Sequence, residues 1–245
     1  MKSSPFNAII AAVAVSCSSP GWAASSAPAA AEHGMVVTAQ HHATKVGVDV
    51  LKRGGNAIDA GVAVGYALAV VYPAAGNLGG GGFMTIQLAD GRKTFLDFRE
   101  KAPLAAAADM YLDRNGEVIP HLSTRGHLAV AVPGTVSGLE YAREKYGSMK
   151  RAELVAPAIR LAQRGFVLEQ GDVDMLREAT EDFRKDAASA AIFLRDDAPL
   201  DVGAKLIQRD LARTLRDISR RGVAGFYQGA VGAALAAASK AGGGL

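Results

Sequence analysis

The sequence predicts a layered sandwich of strands and helices, and three observations carry that prediction. The strand-like runs are concentrated before residue 100, an almost wholly apolar helix lies among them, and from Pro133 onward the pattern is helical. Strands and apolar helices followed by a helical layer suit an α/β or an α+β arrangement. The 245 residues are 49% hydrophobic and 21% charged, which is enough apolar material for one sizeable core and excludes a disordered chain.

Met35 to Ala39 (MVVTA) is β-branched and reads as a strand. A helix follows from about Ala43 to Arg53, with Val46, Val50 and Leu51 on one face and Gly54-Gly55 as its stop. Asn56 caps a second helix, Ala57 to Val71, with Asp59 positioned to satisfy its early amides. This helix is apolar nearly all round and is expected at the centre of the fold. Pro73 ends it and a glycine-rich connection, Ala74 to Gly82, comes next. Phe83 to Leu88 and Lys93 to Arg99 form a hairpin about Asp90-Gly91, with Phe95, Asp97 and Arg99 on one face and Leu96 and Phe98 on the other.

Asp109 to Val118 reads as a surface excursion turning at Asn115-Gly116. Five helices are then expected: Thr135 to Tyr146, Ala152 to Gln163, Leu168 to Arg184, Gln208 to Arg220 and Gln228 to Ala241. Gly242-Gly243-Gly244 caps the last, leaving one residue, so the chain reads as stopping within a fold.

Residues 1–23 read as a secretory signal peptide: Lys2, then the short apolar run Phe6 to Val15, then small residues at the cleavage position near Ala23. Residues 24–34 form a Ser/Ala/Pro-rich tether and 35–245 the folded portion, so a periplasmic or secreted location is expected. The only cysteine, Cys17, falls inside the signal, where an acylated lipoprotein start is the alternative. The later apolar run, Gly61 to Val71, is too short to span a bilayer. The net charge of +3 comes with no basic cluster along the chain, so neither nucleic acid nor a membrane partner is expected.

Few residues stand out for chemistry. The run Gly79, Gly80, Gly81, Gly82 is no phosphate loop, because a strand and not a helix follows it and Phe83-Met84 stand where a lysine is needed. Such glycines serve either close packing or the approach of a ligand. Arg99 presents a planar fork suited to a carboxylate, and Asp97 on the same strand face is placed to orient it; a structural ion pair is the competing explanation. His41 and His42 lack further ligands at metal-binding spacing, so no metal and no cofactor is expected. Thr135 opens a helix and reads as a cap.

Four ordered motifs then carry a resemblance. They are Gly54-Gly55-Asn56-Ala57-Ile58-Asp59-Ala60, the run Pro73 to Phe83, Asp97-Phe98-Arg99-Glu100 with Ala102-Pro103, and Pro133-Gly134-Thr135-Val136-Ser137-Gly138. Ala156-Pro157-Ala158, Gly165-Phe166 and Phe226-Tyr227-Gln228-Gly229 extend it, so that it covers roughly Met35 to Leu245. Their order and spacing resemble the gamma-glutamyltransferases (gamma-glutamyl transpeptidases, glutathione hydrolases).

The resemblance implies an α+β N-terminal-nucleophile hydrolase fold, a four-layer αββα sandwich of which this chain is the incomplete N-terminal portion. It implies a precursor that cleaves itself into large and small subunits. The small subunit would begin with a catalytic threonine that attacks the γ-glutamyl amide of glutathione and related compounds and passes the acyl group to water, amino acids or peptides. Arg99 matches the arginine that grips the substrate α-carboxylate, with Asp97 and the four glycines in support. None of the eight threonines stands in the family's Thr-Thr nucleophile context, so the nucleophile, the small subunit and the rest of the large one are expected beyond Leu245. An inactive or non-enzymatic partner chain and a cephalosporin acylase-type relative are the alternatives.

Overall fold

A computed structural model describes residues 28–245, so the predicted signal peptide lies outside the described residues. The elements below all belong to one unit, Gly34–Leu245.

Helix α1 (His41–Lys52) starts two residues before the predicted point because the Gln40 side chain accepts the His42 amide and caps it. Helix α2 (Ala57–Val71) carries the predicted cap in full. Asn56 accepts the Asp59 amide, and the Asp59 carboxylate accepts the Asn56 amide in return. Val62, Ala63, Tyr66, Ala67, Val70 and Val71 are fully buried, which places α2 at the centre as its all-round apolarity predicts. Helices α1, α3 (Thr135–Tyr146) and α4 (Arg151–Arg164) pack against it.

Two devices fix this helical layer. Asp59, fully buried, reaches across to the loop between α3 and α4 and accepts the amides of Ser148 and Met149 and the Ser148 hydroxyl. Burial opposes its ionisation, but the Ser148 hydroxyl and the three backbone amides outweigh that and hold its pKa below the ordinary carboxylate value. Glu140 on α3 is buried, accepts the Tyr66 hydroxyl at 3.2 Å, and is neutralised by Arg143 and Arg151. Burial first, and the Glu140 carboxylate second, push the Tyr66 phenol well above its usual range.

Strands β1 (Phe83–Gln87) and β2 (Lys93–Asp97) form the predicted antiparallel hairpin, with Phe83 opposite Asp97 and Gln87 opposite Lys93, about a turn in which Gly91 has φ +86°. Ile86, Met84 and Leu96 face the helices. Phe83 and Phe95 stack on the outer face with ring centroids 5.6 Å apart.

Several expectations change. Met35 to Ala39 alternates in exposure like a strand, but it is not a strand and pairs with nothing among the described residues. The predicted helix Leu168 to Arg184 is divided into α5 (Gln170–Glu178) and α6 (Thr180–Phe183), because buried Thr180 turns its hydroxyl onto the Leu176 carbonyl at the break. Strands β3 (Phe166–Val167), β4 (Leu194–Arg195), β5 (Ala198–Pro199) and β6 (Lys205–Leu206), with helix α7 (Ala187–Phe193), are short additions. They pair as β3 with β6 and β4 with β5. Helices α8 (Arg209–Arg221), α9 (Ala224–Tyr227) and α10 (Gly229–Ala241) complete the chain, α8 packing on α4. Of the layers expected in the sandwich, the described residues supply a helical layer and a hairpin whose outer face is open.

Candidate functional site

Arg99 stands just past β2, where the chain is held from both sides. On one side Phe98 and Gly82 exchange backbone hydrogen bonds at 3.1 and 3.4 Å, extending the hairpin by one residue pair. On the other, Lys101 and Val132 exchange theirs at 3.1 and 2.8 Å. The backbone at Arg99 is thus fixed while its side chain, 70% exposed, projects outward.

The glycines explain how that crossing closes. A Cβ on Gly81 would lie 2.7 Å from the Arg99 Cα, one on Gly82 would lie 2.9 Å from the Phe98 ring, and one on Gly80 would meet the Asn77 side chain at 2.7 Å. Gly79 meets nothing within 4 Å. None of the four has positive φ, so three of them serve close approach and not unusual backbone conformation. Gly134 and Gly138 do the same from α3: a Cβ there would lie 1.9 Å from the Phe98 carbonyl oxygen and 2.1 Å from its ring. Phe98 is therefore seated on glycines from both flanking segments, and Arg99 follows it.

Asn77 and Thr135 lock this seat. The Thr135 hydroxyl donates to the Asn77 carbonyl oxygen, which also accepts the Gly80 amide at 3.0 Å. The Gly80 carbonyl in turn accepts the amides of Gly134 and Thr135 at 2.7 and 3.0 Å. Thr135 accordingly ties the start of α3 to the glycine loop and does not cap its own helix, whose N-cap is Gly134. Tyr227 adds a third tie, its hydroxyl donating to the Pro133 carbonyl at 2.9 Å and accepting the Ser137 amide at 3.3 Å.

The Arg99 guanidinium is left available. Its nearest carboxylate among the described residues is Glu100, at 3.9 Å, and it sits 6.0 Å from the centroid of the Phe83 ring. The Asp97 carboxylate accepts the Arg99 backbone amide at 3.0 Å, so its hold on Arg99 runs through the main chain and not through the guanidinium. An open cleft of about 540 Å³ lies alongside, walled by Arg99, Lys101, Ser137 and Tyr141. A guanidinium with free N–H groups on a fixed backbone beside an open cleft is suited to holding a carboxylate by paired hydrogen bonds. Of the residues the sequence singled out as candidates, the structure brings Arg99, Asp97, Gly81 and Gly82 together at this crossing. Sequence reasoning missed Asn77, Thr135 and Tyr227 as supports, and Lys101, Ser137 and Tyr141 as walls; the only signal for Asn77, Thr135, Ser137 and Tyr227 was membership of the motifs and their extensions, and Lys101 and Tyr141 had none.

The described residues thus hold a central apolar helix, helices packed about it and a hairpin that carries Arg99 to an open edge. A family model described as gamma-glutamyltranspeptidase matches residues 43–245. The glutathione hydrolase proenzyme of Pseudomonas sp. (strain A14) is 67% identical over 247 residues, an alignment covering 100% of this chain and 43% of that protein. The crystal structure of Helicobacter pylori gamma-glutamyltranspeptidase superposes with a TM-score of 0.87 at 45% identity, covering 89% of this chain and 63% of that one. The acylase ACY 1 proenzyme of Pseudomonas sp. (strain V22) is 40% identical over 224 residues. The chain belongs to the gamma-glutamyltranspeptidase family, and it spans less than half the length of the curated proenzymes it matches.

Proposed function

We propose that this chain is the substrate-gripping part of a glutathione hydrolase precursor. In this reading Arg99 binds the α-carboxylate of a γ-glutamyl group, and the attacking threonine belongs to a segment beyond Leu245. The observation that carries it is the free Arg99 fork on a backbone held from both sides, in a chain 67% identical along its whole length to a glutathione hydrolase proenzyme. The lower identity to the acylase, 40%, favours a γ-glutamyl substrate over other acyl groups.

The chemistry divides accordingly. Bidentate contact fixes one end of the substrate, so that the γ-carbonyl is presented at a set distance from the grip. Threonine attack at that carbonyl, release of the amine and transfer of the acyl group to water or to an amino acid would use groups outside this chain. Export to the periplasm or beyond belongs to the same proposal and rests on residues 1–23.

The test is the mature enzyme produced from the full-length precursor, assayed on a γ-glutamyl anilide. Arg99→Ala is expected to cost about 2–5 kcal/mol in kcat/KM, the loss typical when one partner of a hydrogen-bonded charge pair is removed. An unchanged kcat/KM would remove Arg99 from the site. Turnover by residues 1–245 alone would refute the placement of the nucleophile outside them.

A further inference from the structure

The fold assembles a basic groove that the linear sequence conceals. Lys45 and Lys52 lie along one side of α1 with Arg53 at its C-terminal cap, Arg160 and Arg164 lie along one side of α4, and all five line a single groove of about 670 Å³ between those helices. The two sets are separated by more than a hundred residues in the chain, so no run of basic residues announces them. The spacing is helical on both sides: positions 45, 52 and 53 recur at seven and eight residues, and 160 and 164 at four.

The charge is unbalanced. Asp49 is the one carboxylate in the lining; it pairs with Lys45 at 3.2 Å, and its backbone carbonyl accepts the Arg53 Nε at 3.2 Å. Lys52, Arg160 and Arg164 have no carboxylate within 4.0 Å among the described residues. The groove therefore holds a local excess of four positive charges, more than the +3 of the entire sequence. Complementing helix dipoles accounts for Lys52 and Arg164, which stand in the last turns of their helices, but not for Lys45 or Arg160. Val46 and Pro157, both buried, form an apolar floor that lowers the local dielectric and concentrates the field between the walls.

We propose that this groove is a binding site for clustered phosphate groups, separate from the cleft beside Arg99 and independent of the function proposed above. Two neighbouring arginines supply the forked donors that suit phosphate oxygens, and three further cations surround them. A free polyphosphate and the headgroups of an anionic lipid surface share this chemistry.

The purified protein is titrated at low salt with tripolyphosphate by calorimetry, and is co-sedimented with phosphatidylcholine vesicles with and without phosphatidylglycerol. Two variants, Arg160→Gln/Arg164→Gln and Lys45→Gln/Lys52→Gln, alter exposed side chains on different helices, and circular dichroism verifies that each retains its fold. Binding is expected in at least one format, weakened by added salt, and weakened about thirtyfold in either variant, the effect of removing two basic groups that face an anionic surface. Vesicle binding that tripolyphosphate displaces assigns the lipid source; tripolyphosphate binding without vesicle binding assigns a soluble one. No binding in either format, or equal binding by the wild type and both variants, overturns the proposal.

Discussion

Replacing Asp59 with asparagine is expected to destabilise the protein by about 2–4 kcal/mol, and the figure follows from counting donors. One carboxylate oxygen accepts the amides of Ser148 and Met149 at 3.0 and 3.1 Å; the other accepts the Asn56 amide at 3.0 Å and the Ser148 hydroxyl at 2.6 Å. An asparagine supplies a single acceptor oxygen. Wherever its NH₂ is placed, it meets at least one backbone N–H head-on, Met149 in one orientation and Asn56 in the other. One buried amide left unpaired costs about 1–3 kcal/mol, and the surviving bonds lose their charge assistance. Asp59→Ala orphans every donor and should cost more, about 3–5 kcal/mol. The assay is urea unfolding followed by circular dichroism, with the slope checked for constancy. The pH dependence supplies a second reading. The folded pKa of Asp59 is depressed, so its contribution is present above the unfolded value of about 3.9 and is lost as pH falls through the lower folded value. The gap between wild type and Asp59→Asn should thus narrow in acid. A loss below about 1 kcal/mol at neutral pH with an unchanged slope would refute the account of Asp59 as the clasp between α2 and the α3–α4 loop.

Three further outcomes are expected. Gly138→Ala places a methyl 2.1 Å from the Phe98 ring, so Phe98 must shift; a loss of about 1–3 kcal/mol by thermal unfolding and a raised KM in the complete enzyme should accompany it. Thr135→Val removes the bond to Asn77 and should cost about 1–2 kcal/mol, while Thr135→Ser, which keeps the hydroxyl, should recover most of the loss in the same measurement. Arg151→Met leaves buried Glu140 with Arg143 as its remaining cation and the Tyr66 hydroxyl as its other donor, and denaturant unfolding should register a loss of about 1.5–3 kcal/mol.

The parts of this fold legible in the sequence are those whose determinants are local. Asn56 and Asp59 sit three residues apart and announce the start of α2, and Asp90-Gly91 announces the hairpin. The division at Thr180 was not legible, because a threonine in a polar helical run signals no break until its hydroxyl finds the Leu176 carbonyl. Phe166–Val167 and Lys205–Leu206 pair over two residues each, too short to show a period. Met35 to Ala39 carries the strand pattern, but a strand needs a partner, and among the described residues there is none. At the candidate site, Arg99 stood out as a candidate from its place at a strand end. Its supports did not: Asn77 meets Thr135 across 58 residues and Tyr227 meets Pro133 across 94, and only the fold makes them neighbours.

If Arg99 is the grip proposed above, its separation from its supports has a measurable consequence. Arg99 is 70% exposed, with its nearest carboxylate 3.9 Å away, so its side chain contributes little to folding. Phe98, Gly134 and Thr135 beneath it are half-buried or buried in the crossing that fixes the main chain. Arg99→Ala should therefore change unfolding free energy by no more than about 0.5 kcal/mol while impairing the enzyme on γ-glutamyl substrates. Substitutions at Gly134 or Thr135 should instead lower stability and substrate affinity together. If Arg99→Ala destabilised the fold as strongly as Thr135→Val, the arginine would be acting as a structural ion pair in the native state, and its assignment as a free carboxylate clamp would have to be withdrawn.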